Sequence, residues 1–224
     1  MKIPQFESDS PQFKWQNQSW EWLPNRCLLH LDSNSLFLAD FHIGKADSFQ
    51  RAGINLPKSN SQNQIEGFFD FIQTTNIKQV CILGDLLHGP TTTETNLFLQ
   101  LLKPLKNIGF QWILGNHDRR SAPMFGQDIA HLKPAKDALW NGIRLCHEPY
   151  NDADMPSICG HIHPGLRLPL GPKQSFRAAC GMVSENQLIL PAFGSLTGLQ
   201  IQTPEPRTKY YVFTNNQVLK FSFK

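Results

Sequence analysis

KSNSQNQIEGFFDFIQTTN (58–76) followed by QVCILGD (79–85) reads as a helix feeding a buried strand, and this pair decides the fold class. Ile65, Phe68, Phe69 and Ile72 recur at the three- and four-residue spacing that puts side chains on one stripe of a helix. Val80 to Leu83 is an unbroken apolar run, the pattern of a strand covered on both faces, and Gly84–Asp85 ends it. Upstream, CLLHL (27–31) and SLFLAD (35–40) flank a polar turn at Asp32 to Asn34, as two strands joined in a hairpin. Downstream, TTTETNLFLQLL (91–102) is helical in pattern up to the break at Pro104, and FQWILGNHD (110–118) is a third apolar strand ending in polar residues. IRLCHEP (143–149), SICGHIH (157–163), NQLILPAFG (186–194) and KYYVFTNNQVLKFSF (209–223) supply further strands, the last a terminal hairpin. Helices alternate with strands early and strands dominate late, which predicts a mixed α/β sandwich.

The chain of 224 residues is long enough for one domain with a substantial core, and residues 1–224 are read as that single domain. Residues 1–24 are rich in Gln, Ser, Asn and Trp without a clear period, so 1–22 are expected to form an irregular lead-in, with Trp20 and Trp22 docked on the core. No apolar run approaches the roughly 18 residues of a membrane helix, and no apolar block of a secretory signal follows the first lysine, so neither membrane insertion nor export is expected. The five cysteines are odd in number and widely spaced, with no CxxC pair. That argues against a disulfide framework and a thiolate zinc knot, and fits a reducing cytoplasm. A net charge of +3 favours approach to a polyanion without demonstrating one.

The chemistry lies where the strands stop. Asp40 and His42, two apart at the end of SLFLAD, leave on one face and can converge on one point. Alone, that spacing fits a capping Asp and a solvated His equally well. It gains meaning from Gly84-Asp85, Gly115-Asn116-His117-Asp118, His147 and Gly160-His161-Ile162-His163, each of which follows a short apolar run. Five of the eight histidines fall in these junctions. Glycine before a polar residue allows close backbone approach at a crowded site, and ligands of open α/β sheets gather outside strand ends. Two divalent ions held by Asp40 and Asp85, with neutral His and Asn completing the set, leave a net positive centre that attracts phosphate and acidifies water. The reading is metal-assisted phosphoester hydrolysis.

D-x-H, G-D, G-N-H-D, H and G-H-x-H in this order resemble the calcineurin-like metallophosphoesterase superfamily. The resemblance implies a sandwich of two mixed β-sheets flanked by helices. It further implies that Asp40, His42 and His163 hold one metal ion, that Asn116, His147 and His161 hold the other, and that Asp85 bridges them. His117 would face the substrate, where it suits a general acid oriented by the carboxylate of Asp118. His88, in GDLLH, is either a contact to the phosphate or outer shell, or a structural residue. His30 and His131 lie outside the pattern.

LPNRCLLHL (23–31), LFLADFHIGKADSFQRAGINLP (36–57), CILGDLLHG (81–89), WILGNHDR (112–119), GHIHPGLRL (160–168) and LPAFGSLTGL (190–199) further resemble the bacterial ligase-associated DNA-repair phosphoesterase (PdeM) family. That resemblance implies an endonuclease for damaged or single-stranded DNA, using Mn²⁺, beside an ATP-dependent DNA ligase, a helicase and a nuclease. The ligand chemistry is equally compatible with Fe or Zn. Lys45, Arg51, Arg119, Arg120 and Arg167 are the basic residues near the motifs, as DNA contacts or as solvated charges. No interleaving of aromatic and basic residues marks a single-strand channel. A hydrolase of small nucleotides or phosphomonoesters would use the same ligands. A scaffold that has lost catalysis would not be expected to keep every ligand and His117.

Overall fold

The structure is a computed structural model that describes residues 4–8, 11–54, 59–89, 92–120, 132–150, 154–171, 174–215 and 217–223. Seven strands form the first sheet: β2 (Gln12–Trp15), β3 (Gln18–Trp22), β4 (Leu28–His30), β5 (Ser35–Leu38), β6 (Gln79–Leu83), β7 (Gly109–Ile113) and β8 (Leu132–Ala135), side by side in that order. β2 to β5 meander antiparallel, and β5 to β8 run parallel. Right behind this sheet lies a ten-stranded one, with path β1 (Pro4–Ser8), β17 (Val218–Phe223), β16 (Lys209–Phe213), β13 (Gln174–Val183), β14 (Gln187–Ile189), β11 (Ser157–Cys159), β10 (Ile143–Leu145) and β9 (Ala138–Trp140). β12 (Pro164–Gly171) and β15 (Gln200–Ile201) branch from it through β13. Three helices are present among the described residues: α1 (Lys45–Arg51), α2 (Ser59–Thr74) and α3 (Thr93–Leu102).

The apolar runs are continuous because the first sheet is covered on both faces. Leu36, Leu38, Val80 and Ile82 pack with Ile65, Phe68, Phe69 and Ile72 of α2 and Phe98 of α3. The alternate residues Phe37, Ala39, Cys81 and Leu83 pack between the sheets with Ile143, Leu145, Ile158 and Leu188. The sandwich expected from the alternation of elements is therefore present. All five cysteines are free and buried.

The irregular lead-in expected over residues 1–22 is replaced by strands. β1 pairs with β17, and β2 and β3 form a hairpin that pairs with β4. Gln16 and Asn17 both take left-handed φ values of 51° and 57°, the two-residue hairpin turn whose twist matches that of the strands. Trp20 and Trp22, two apart, are fully buried between the sheets. The polar residues between the tryptophans concealed a period of two. Trp20→Ala should lower the free energy of unfolding by about 3 to 5 kcal/mol, read as a fall in the urea midpoint at constant slope.

The hairpin β12–β13 also escaped the sequence reading, because Pro164, Pro169 and Gly171 interrupt its pattern. Pairing with a partner strand on each side of Gly165 holds this Pro-bearing strand in place.

Candidate metal centre

Every motif residue sits just past the C-terminal end of a strand that runs parallel to its neighbour, so two sheets deliver side chains to one edge. β5 carries Asp40 and His42, β6 carries Asp85, β7 leads to Asn116 and His117, β10 to His147, and β11 to His161 and His163. The segments are stitched by backbone hydrogen bonds, with Asp40 N–H donating to Gly84 O (3.0 Å) and His42 N–H to Asp85 O (2.9 Å). Asp40, His42, Asp85, His161 and His163 all adopt positive φ between 46° and 73°. Non-glycine residues in this region store strain, and its concentration here marks backbone bent to aim side chains.

Glycines make room for the crowding. Gly84 has a φ of +85°, and a Cβ there would lie 2.0 Å from His147 Nδ1. A Cβ on Gly115 would lie 2.1 Å from Asp85 Oδ1.

Two clusters that contain a carboxylate result, beside a third group of His42, His88 and His117. Asp40, His42 and His163 form one, with His163 Nε2 3.4 Å from Asp40 Oδ1 and 3.3 Å from His42 Nε2. Asp85, His147 and His161 form the other, with His147 Nε2 3.1 Å from His161 Nδ1. The carboxylate of Asp85 lies between them: Oδ2 is 3.9 Å from His42 Nε2 and Oδ1 is 3.6 Å from His147 Nε2. Asn116 is exposed between Gly115, packed on the Asp85 carboxylate, and His117, whose N–H donates to Asp85 Oδ1 (2.9 Å).

Two of the imidazoles are in the state that binding of cations requires. His147 Nδ1 lies 3.1 Å from Leu83 O, which selects the Nδ1–H tautomer and leaves the Nε2 lone pair facing the cluster. Burial, reinforced by Lys45 and by the rings of His163, His117 and His88, pushes His42 down to about 2, so its imidazole is neutral. Asp40 is fully buried, with Oδ2 accepting from His161 N–H (2.9 Å) while Oδ1 has no hydrogen-bond partner among the described residues. A buried carboxylate oxygen without a donor is costly unless a cation meets it. The residues present therefore fit a pair of divalent cations.

Around the clusters, the remaining motif residues divide. His117 is about half exposed, with Nε2 4.0 Å from Asp85 Oδ2. Its ring stacks on His88 at 4.8 Å between centroids, and His88 Nδ1 lies 3.3 Å from His42 Nδ1, so His88 belongs to the same constellation. Burial, then His117 and Lys45, push His88 down to about 4. Lys45 is half buried and within the field of Asp85 and Asp40, which oppose the downward pull of burial on its ammonium. Arg119 is exposed on the turn after Asp118, and no described contact joins it to the clusters. His30 is buried against Trp20 and Trp140, away from the centre, and His131 lies outside the described residues.

The expected role of Asp118 is corrected. Its carboxylate points inward, fully buried, accepting hydrogen bonds from Leu87 N–H (2.8 Å), Gly115 N–H (2.9 Å), Trp112 Nε1–H (3.1 Å) and Leu86 N–H (3.3 Å). With four donors already on it, this carboxylate ties the loop after β6 to the loop after β7 rather than orienting the ring of His117. Burial pushes it up from the usual carboxylate range, and the hydrogen bonds from Gly115 and Leu87 counter that rise. Asp118→Asn places an NH₂ group among N–H donors and should destabilise the protein by about 2 to 4 kcal/mol, measured by urea unfolding without added metal.

Sequence reasoning missed Glu94. It is buried in the first turn of α3 and accepts from Gly44 N–H (2.7 Å) and from the Ser61 hydroxyl, joining α3 and α2 to the segment that follows His42. An acid in a first helical turn is ordinarily read as complementing the helix dipole; only the fold brings Gly44 to it. The LPAFGSLTGL stretch likewise finds its place, with Phe193 N–H donating to Ala39 O, Gly194 N–H to Asp40 O, and Gln64 clasping Phe193 O and Ser195 N–H.

Two carboxylate and imidazole clusters with Asp85 between them, at the edge of a two-sheet sandwich, have the donor set of a metal-dependent phosphoester hydrolase. The family model described as calcineurin-like phosphoesterase matches residues 34–163, more than half of the chain, and the chain belongs to that family. Members of this family use a dinuclear metal site. The crystal structure of Pseudomonas putida nuclease MPE is similar over 91% of this chain and 98% of that one, with 25% identity and a TM-score of 0.75. A protein of unknown function from Aquifex aeolicus, AQ665, covers 58% of this chain and 78% of its own at 17% identity and a TM-score of 0.39, too distant to carry an argument. A search of curated proteins returns no match.

Proposed function

We propose that the protein is a metal-dependent phosphodiesterase that cuts polynucleotides internally, with DNA as substrate. The observation that carries this reading is the position of Asp85, one oxygen toward each histidine cluster. Asp40, His42 and His163 would hold one ion, and Asn116, His147 and His161 the other, with Asp85 spanning both. When bound, such a pair of ions polarises the phosphoryl group and acidifies water. Only two of these ligands are carboxylates, so the loaded centre is cationic and draws in a phosphodiester. His117, exposed at the rim and steadied by the His88 ring, is the proton donor to the leaving oxygen. Lys45, within the field of Asp85 and Asp40, adds a positive charge beside the same centre.

The choice of a diester in a nucleic acid is supported by the similarity to a nuclease along nearly the whole chain. Mn²⁺ as the native metal and work beside an ATP-dependent DNA ligase, a helicase and a nuclease of one repair system rest on the resemblance to the ligase-associated family, and a cytoplasmic location rests on the odd number and wide spacing of the cysteines. No helix among the described residues is long and apolar enough to cross a membrane.

The test compares single-stranded DNA, a bis-aryl phosphate and a mono-aryl phosphate as substrates of the purified protein with Mn²⁺. Internal cleavage of DNA together with turnover of the bis-aryl phosphate is the expected result. Turnover of the monoester alone would remove the nuclease reading and favour a phosphatase. Absence of metal-dependent turnover on all three would remove the enzyme reading altogether.

A further inference from the structure

Arg167 of β12 and Arg177 of β13 stand directly opposite one another across their antiparallel pair. Both are exposed, and among the described residues neither has an acidic partner. Like charges facing each other across a sheet destabilise it, because the Cβ atoms of such a pair lie only about 5 Å apart. The pair concentrates two guanidinium charges on one face of the hairpin.

Arg177, with Arg167 opposite it on β12, lines a groove of about 590 Å³ whose other walls include Arg26, Phe176, Leu199 and Gln217. Phe176 and Leu199 leave 41% and 37% of their surface exposed, unlike the buried aromatics of the core. The groove is linked to the metal centre through covalent and hydrogen-bonded chain. β12 begins at the residue after His163, Gln200 N–H donates to His163 O (3.0 Å), and Leu199 packs beside Gly165. From His163 to Arg167 is four residues of strand, about 13 Å at roughly 3.3 Å per residue. That is the length of about four stacked nucleotides at roughly 3.4 Å each.

We infer that the β12–β13 hairpin and this groove form the track for a single-stranded polynucleotide entering or leaving the metal centre. Arg167 and Arg177 take its phosphates, and Phe176 offers a face on which an unpaired base stacks. The guanidinium fork matches phosphate oxygens, and phosphate between the two arginines relieves their repulsion. An exposed ring is useful to a single strand, whose bases are free to stack, and of little use to a duplex. The inference rests on the nuclease reading and extends it to a substrate-binding surface away from the metal ligands.

The experiment uses the full-length protein with Mn²⁺, the Arg167→Ala/Arg177→Ala double variant and Phe176→Ala. The substrates are a single-stranded oligodeoxynucleotide of about 12 nucleotides, within the range of known single-strand sites, and a bis-aryl phosphate too small to reach the groove. The double variant should lose at least about 10-fold in kcat/KM on the oligonucleotide and show a salt dependence of binding shallower by about 0.7 per arginine. Phe176→Ala should weaken oligonucleotide binding by about 10-fold with the salt slope unchanged. Wild-type kcat/KM on the small diester in the same variants shows that fold and metals are intact. If the wild type cuts the oligonucleotide and the variants cut and bind it equally well, the track is overturned and the nuclease reading stands. If the wild type turns over the small diester but no oligonucleotide, both are overturned.

Discussion

Asp85→Asn is expected to lower kcat on a bis-aryl phosphate by about 1,000-fold, the equivalent of about 4 kcal/mol of lost transition-state stabilisation. The same variant should retain at most one tightly bound ion per chain, counted by elemental analysis after dialysis. The reason is geometric: each oxygen of Asp85 serves a different cluster, at 3.9 Å from His42 Nε2 and 3.6 Å from His147 Nε2. An amide keeps the shape and can still accept the hydrogen bond from His117 N–H. It has one acceptor oxygen where the carboxylate has two, and no charge with which to hold two dications. The thermal midpoint of the metal-free protein should change little, because the lost attraction to Lys45 is offset by relief of the cost of burying a carboxylate charge. A variant that unfolds more easily without metal yet still binds two ions would show that Asp85 is a structural residue and not the bridge.

His117→Ala should separate substrates by leaving group. On DNA, whose leaving alkoxide must be protonated, kcat should fall by about 10²- to 10⁴-fold, the usual worth of a positioned acid. On bis(4-nitrophenyl) phosphate the loss should be much smaller, since nitrophenolate departs without a proton. Bound metal should be unchanged, because the side chain of His117 is half exposed at the rim, its Nε2 stands 4.0 Å from Asp85 Oδ2, and its hydrogen bond to Asp85 comes from the backbone N–H, which alanine keeps. Equal losses on both substrates would mean that His117 holds the phosphate or the metal rather than delivering a proton. Measuring both substrates at saturating concentration keeps binding effects out of the comparison.

The placement of the candidate ligands was legible because these residues recur at strand ends, each next to a glycine or an apolar run. Asp40, Asp85, His147 and His161 follow β5, β6, β10 and β11 as their local patterns predict. The α/β sandwich was legible for the same reason, since runs such as SLFL are buried at every position only when both faces of a sheet are covered. The first strands were not legible, because Gln, Ser and Asn between Trp15, Trp20 and Trp22 dilute the apolar period, and Gln16–Asn17 is an uncommon pair for a tight hairpin turn. Nor was β12–β13, whose prolines argue against a strand until a neighbour on each side is known.

Asp118 shows why adjacency in sequence misleads. It follows His117, but the turn at 118–120 swings its carboxylate into the core, where it meets four donors from three segments. Glu94 and the groove with Arg26, Phe176 and Arg177 are likewise invisible in a linear reading, because their partners lie tens of residues away.

By itself, then, the amino-acid order determined which residues could bind metal and on which strand ends they sit, since periodicity and glycine placement are local properties set by backbone geometry. The tertiary structure alone decided that Asp85 lies between two clusters, that His88 rather than Asp118 steadies His117, and that two arginines face each other across a hairpin. Those relations depend on strand register and on the packing of one sheet over another, which arise from contacts distant in sequence.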